Sequence, residues 1–240
     1  MKKSLAAISV GFTLLMGATA AYADQLYNGL SLPSQTPDQQ GWTYLKTAYP
    51  TVPSAQATAG GTILNTGTSK NYAGYFKQSP VPLDRDKGYS ISFSVKINSE
   101  SHSSSNRAGF SIIATSNPSG TETQPYSLEL GFWQNSIWAQ NVGFTKGESV
   151  SFNTQSAVNN YELRIQGTQY QLFVNGSAQP ILKGSLRKYN YTPPPGFINP
   201  YTTPSLIFMG DDTTSATAKV TLTKVYATPI TQTTLTNTGQ

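Results

Sequence analysis

Cysteine is absent from the 240 residues, and histidine occurs once, at His102. Without cysteine there is no disulfide, no thiol nucleophile and no lipid-modified cysteine behind a leader. With a single histidine, zinc has no cluster of ligands, and a Ser-His-Asp triad would depend on His102 alone. That residue sits in "SESHSSSN", which reads as a solvated loop with nothing local to orient the ring. Charge is scarce as well: Asp, Glu, Lys and Arg make up 11% of the chain. The formal excess of +5 includes Lys2 and Lys3 near the N-terminus, and the other bases are scattered. No nucleic-acid partner is expected from so weak a field.

Long apolar runs are also missing, apart from Leu5 to Ala18. That run is shorter than the roughly 20 residues a membrane span requires. With Lys2 and Lys3 before it and Ala21-Tyr22-Ala23 after it, residues 1–23 read as a secretory signal peptide. The expected protein is therefore secreted or periplasmic, carries no membrane anchor and starts at Asp24. The remaining residues suffice for one β domain, expected over 24–228, followed by a flexible Thr-rich tail at 229–240.

What the sequence does contain is period-2 alternation, with no internal repeat and no sustained helical period. In "YSISFSVKI" the residues Tyr89, Ile91, Phe93, Val95 and Ile97 share one face, opposite Ser90, Ser92, Ser94 and Lys96. Further strands are read in "AGFSIIATS", "YSLELGFW", "SIWAQNV", "NYELRIQG", "QYQLFVNG", "SLIFMGD" and "ATAKVTLTKVYA". The pieces around "GWTYL", "GTILNTG" and "YAGYFK" supply others. Gly167-Thr168 and Asn175-Gly176 mark hairpin turns, and Pro-rich stretches end strands elsewhere. Many short strands with turn chemistry between them, and no interleaved helices, give a two-sheet sandwich.

Three segments carry a family resemblance: "RAGFSIIATS…YSLELGFWQNSIWAQNVGFTKGE", "YELRIQGTQYQLFVNG" and "TPSLIFMGDDTTSATAKVTLTKV". Together they resemble bacterial exported domains of the concanavalin A-like (laminin G-like) superfamily. The resemblance implies an all-β, two-sheet antiparallel jelly-roll sandwich. It leaves function open among lectins, glycoside hydrolases and adhesion modules. Laminarinase-type members carry E-x-D-x-E on one strand, which sends all three acids to one face. The corresponding positions here are Glu129, Gly131 and Trp133, a single carboxylate. Asp84 and Asp86 are spaced i,i+2 but sit in a Pro-bounded loop, where capping a turn suits them better. A hydrolase would need a second acid about 5–10 Å from the first across an open groove.

The candidate binding surface centres on "ELGFWQNSIWAQN", Glu129 to Asn141. A two-residue turn at Asn135-Ser136 puts Trp133 opposite Trp138 and Gly131 opposite Gln140. Leu128, Leu130, Phe132, Ile137 and Ala139 then form the buried stripe. Glu129, Trp133, Trp138 and Gln140, with Arg107 nearby, are the expected ligand-binding residues: indoles stack on sugar rings, while amides and acids bond hydroxyls. The alternative is packing, with the indoles covered by N-terminal strands or by the Tyr- and Pro-rich loop Tyr189 to Pro204, and Glu129 paired with Arg107. Asp211 and Asp212 form a candidate Ca²⁺ site, their other reading being turn caps. The expected function is a secreted, non-enzymatic, lectin-like module that binds carbohydrate or another extracellular surface component. A structural or adhesive matrix protein and, less favoured, a glycoside hydrolase are the alternatives.

Overall fold

The computed structural model describes residues 23–47, 53–68 and 70–230. The expected signal peptide, except its last residue, lies outside them, as does the expected tail beyond Ile230. The first two tail residues are held: Pro229 ends the last strand, and Ile230 N–H donates to Gly88 O at 2.9 Å.

Two antiparallel sheets make the fold. With strands labelled in chain order, the first sheet runs β13 (Leu182–Ser185), β12 (Gln169–Val174), β11 (Asn159–Gln166), β6 (Tyr89–His102), β15 (Ala216–Pro229), β4 (Gly61–Asn65), β3 (Ser54–Thr58). On the β4 side of β15, β1 (Asp24–Asn28) also pairs with that strand. The second sheet runs β10 (Lys146–Ser151), β9 (Ser136–Gln140), β8 (Ser127–Phe132), β7 (Ser111–Thr115), β14 (Leu206–Asp211), β5 (Ala73–Gln78), β2 (Thr43–Lys46). Sequence neighbours are often not sheet neighbours, as a jelly roll requires.

Alternation sorts the side chains. Tyr89, Ile91, Phe93, Val95 and Ile97 of β6 enter the core between the sheets, as expected. From the second sheet Leu128, Leu130, Phe132, Ile137, Ala139, Ile207 and Met209 meet them there. Phe93, Phe132 and Tyr161 form an aromatic knot across the layers, with ring centroids 5.1–6.1 Å apart. A core of this size stabilises the sandwich without covalent staples.

The outer face of the second sheet is buried too. Every residue of β8 is buried, because Ser127, Glu129 and Gly131 lie beneath other side chains instead of solvent. A second apolar cluster there joins Ile113, Leu206 and Phe208 from the strands to Tyr189 and Tyr201 from the long β13–β14 connection. Glycine makes the close approach feasible. A Cβ at Gly131 would stand 2.7 Å from Trp138 Cζ2, and one at Gly74 would stand 2.6 Å from Phe208 Cζ.

The hairpin register differs from the expected one. Leu130 faces Ala139, Gly131 faces Trp138 and Phe132 faces Ile137, while Trp133 N–H donates to Ser136 O. The turn is therefore Gln134-Asn135, not Asn135-Ser136. A shift of two in the pairing leaves each residue on its original face, so the buried stripe survives the correction.

Candidate functional site

Between the outer face of the second sheet and its covering loop lies a partly open cavity of about 120 Å³. The strands contribute Glu129 and Gln140. Arg107 comes from the turn before β7, Asp212 from just past β14, and Tyr191, Pro200 and Tyr201 from the covering loop. Phe144, in the β9–β10 connection, completes the lining. Three of the five expected ligand-binding residues, Glu129, Gln140 and Arg107, thus meet at one place, and Asp212 joins them.

The two acids meet on one hydroxyl. Tyr201 Oη lies 2.7 Å from Glu129 Oε2 and 3.1 Å from Asp212 Oδ2. Their nearest oxygens are accordingly no more than about 6 Å apart, the sum of those bonds. Ser111 Oγ donates to Glu129 Oε1 at 3.1 Å. Burial, reinforced by the neighbouring Asp212 charge, pushes the Glu129 carboxyl up to about 8; the Tyr201 and Ser111 hydroxyls and Arg107 pull against it. Burial raises Asp212 as well, and Tyr201 is held well above the usual phenol range.

The surrounding shell is rigid. Arg107 Nη1 donates to Asn106 O at 2.8 Å and to Phe144 O at 2.5 Å, so backbone carbonyls fix the guanidinium. Phe144 adopts a left-handed backbone with φ of 56°, a conformation that costs energy for a side chain of this size. That turn brings its ring within 6 Å of Tyr189, Tyr191 and Tyr201. Tyr189 Oη donates to Gln140 O at 2.6 Å, tying loop to strand. Gln140 itself is 1% exposed, and its Oε1 has no hydrogen-bond partner.

The tryptophans go elsewhere, and an open two-indole platform does not form. Trp138 is fully buried, lying across Gly131. Trp133 is half-buried: His102 stacks on it with centroids 4.2 Å apart, and Lys146 Nζ lies 4.1 Å from its ring centre. Its Nε1–H donates to Arg107 O at 2.8 Å, supporting the site from behind. His102 is exposed, as expected, but it is a strand residue and not a loop residue. β6 continues through it, and its Nδ1 lies 3.0 Å from both oxygens of buried Glu100.

Asp211 and Asp212 part company. Asp211 continues the inward row of Ile207 and Met209, accepts the Thr213 N–H at 3.0 Å, and is pushed by burial up to about 9. Asp212 turns to Tyr201 and the cavity. As a pair they do not present converging oxygens to Ca²⁺, which takes six to eight. Among the described residues no three His, Cys, Asp or Glu side chains cluster in a way that would hold a metal. Nor is any helix there long and apolar enough to cross a membrane.

No family model and no curated protein matches this chain. Solved structures do. A carbohydrate esterase from the Shiga toxin-encoding bacteriophage phi24B superposes with a TM-score of 0.57 at 12% identity, over 87% of this chain and 99% of its own. A Bacillus subtilis protein of unknown function with a galectin-like fold superposes with a TM-score of 0.51 at 11% identity, over 86% and 96%. At such identities the likeness is one of architecture alone: a two-sheet antiparallel sandwich.

Proposed function

We propose that this chain is a secreted, non-catalytic module that binds carbohydrate in the cavity between the second sheet and its covering loop. One observation carries the reading. Within a single partly open cavity, an acid pair, a guanidinium and an unpartnered buried amide oxygen converge beside the rings of Phe144 and Tyr191. Sugars present that combination in reverse, with hydroxyls to bond and ring faces to stack. The fold neighbours support it to the extent of their names, one being called a carbohydrate esterase and the other galectin-like.

The acid pair favours a second reading, hydrolysis, because Glu129 and Asp212 approach the separation that two catalytic carboxyls need. Against it, the gap between them is filled by the Tyr201 phenol, where a scissile bond would have to lie. A purely structural or adhesive role leaves the unpartnered Gln140 oxygen without a purpose.

A glycan array probed with the chain from Asp24 onward, with and without Ca²⁺, tests the proposal. Expected is selective binding that a Glu129→Ala substitution abolishes. Silence in both conditions sinks it in favour of the adhesive role. Release of reducing sugar from a bound glycan replaces it with the hydrolase.

A further inference from the structure

The cavity adjoins a second space. Beside Asp212 lies an apolar crevice of about 40 Å³, with Leu45, Phe76 and Phe208 on the strand side and Phe197 and Ile198 on the loop side. Tyr191, Pro200 and Asp212 border both spaces. A ligand seated among the polar groups therefore meets, at one edge, room for a small substituent among mostly apolar side chains.

Hydrogen counting sets the charge of the polar part. Tyr201 has one hydroxyl hydrogen, yet its oxygen lies within bonding distance of two carboxyls. One O–H serves one carboxylate at a time, so the other carboxyl must bring its own proton to the contact. With one proton held between Glu129 and Asp212, their remaining negative charge offsets Arg107. The pocket is neutral overall, and a charged ligand would enter it without a counter-ion.

Gln140 sets the polarity of the missing contact. Gln140 lines the cavity, and its buried Oε1 accepts nothing from the protein. A buried acceptor left unpaired is costly, so an N–H or O–H arriving there is rewarded.

Resting on the glycan reading of this cavity, we infer that the ligand is a neutral N-acylated sugar. Its amide N–H is received by Gln140 and its acyl methyl enters the crevice at Leu45 and Phe208. A ring with hydroxyls alone would satisfy the polar groups but leave the crevice empty.

The test compares matched pairs, N-acetylglucosamine, N-acetylgalactosamine and N-acetylmannosamine against glucose, galactose and mannose, by ligand-observed NMR titration and on the array. At least one acetylated sugar is expected to bind about tenfold tighter than its parent, from one buried methyl and one added hydrogen bond. Gln140→Leu removes the acceptor and Leu45→Trp fills the crevice; each is expected to cut that ratio to about threefold or less, with thermal melts confirming that the variants fold. Equal binding of acetylated and parent sugars overturns the acyl assignment while leaving the glycan site standing. Binding of neither, singly or in any arrayed glycan, overturns both.

Discussion

Two aromatic clusters share the outer face of the second sheet, and they differ in kind. One gathers Trp133, Trp138 and His102 around the β8–β9 hairpin; the other gathers Phe144, Tyr189, Tyr191 and Tyr201 around the acids. The tryptophan cluster packs closely on its inner side, where Trp138 lies on Gly131, while His102 and Lys146 lie against a Trp133 that stays partly exposed. The tyrosine cluster is assembled from two distant connections, β9–β10 and β13–β14, and leaves a cavity. Aromatic density in a short stretch of sequence thus marks packing here, while long-range convergence builds the polar cavity. The difference follows from the hydroxyls: a buried phenol needs a partner, and meeting that need pulls acids and carbonyls together, whereas an indole is satisfied mostly by contact area.

The strongest way to break the comparison is to disrupt the closed cluster. Gly131→Val places a branched side chain where even a Cβ would stand 2.7 Å from the Trp138 ring. Trp138 is fully buried and cannot swing away without opening a void. The expected cost is about 3 kcal/mol in a urea melt. A loss below about 0.5 kcal/mol would mean that the indole is mobile and the cluster only loosely closed.

Next comes the proton in the tyrosine cluster. The Glu129 carboxyl is raised from its ordinary 4.5 to about 8, so the folded state binds this proton more tightly than the unfolded one. Its contribution to stability is complete below about pH 4.5 and is lost as pH rises towards 8. Glu129→Gln keeps the shape and removes the titration. The variant should match the parent at pH 4 and exceed it at pH 9 by roughly 2–4 kcal/mol in urea midpoint stability. Asp211, raised to about 9, keeps its own pH dependence in both proteins and cancels in the difference. Parallel pH profiles would show that Glu129 and Asp212 do not hold a proton between them.

How much of this could be read from the sequence divides along the same line. Long alternating strands such as β6, β11, β12 and β15 declare themselves, because their own side chains carry the period. β1, β3, β10 and β13 do not: they are short, three of them lie at or next to a sheet edge with polar residues, and only the partner strand makes them strands. The stripe from Leu128 to Ala139 was legible, but its register was off by two, since faces constrain pairing only modulo two. Glu129, Gln140 and Arg107 were legible as a set because β8, β9 and the start of β7 follow one another. Tyr201 was not, 72 residues from Glu129 along the chain. Asp212 was seen, yet paired with Asp211 on adjacency. The alternation that sorts every other strand puts these neighbours on opposite faces and would have separated them. His102 was hidden by a serine-rich context that masks the last turn-side residues of β6, paired there with Ala216 to Lys219.

The smallest effect is the sharpest discriminator between the clusters. Of the three tryptophans, Trp42 and Trp138 are 5% and 0% exposed, so Trp133 is the indole that solvent reaches. Acrylamide should quench only one component of the emission, and Trp133→Phe should remove it. Lys146→Ala, which withdraws the ammonium 4.1 Å from that ring, should cost no more than about 1 kcal/mol while increasing the quenchable fraction. A glycan seated among Glu129, Gln140 and Tyr201 has no reason to cover Trp133. Saturating ligand should therefore leave quenching unchanged and quell no tryptophan signal, even as it shifts tyrosine resonances in NMR. If instead the ligand shields Trp133, the indole does form part of a binding face. The closed and open clusters would then have to be redrawn as one continuous surface, with Lys146 and His102 on its rim.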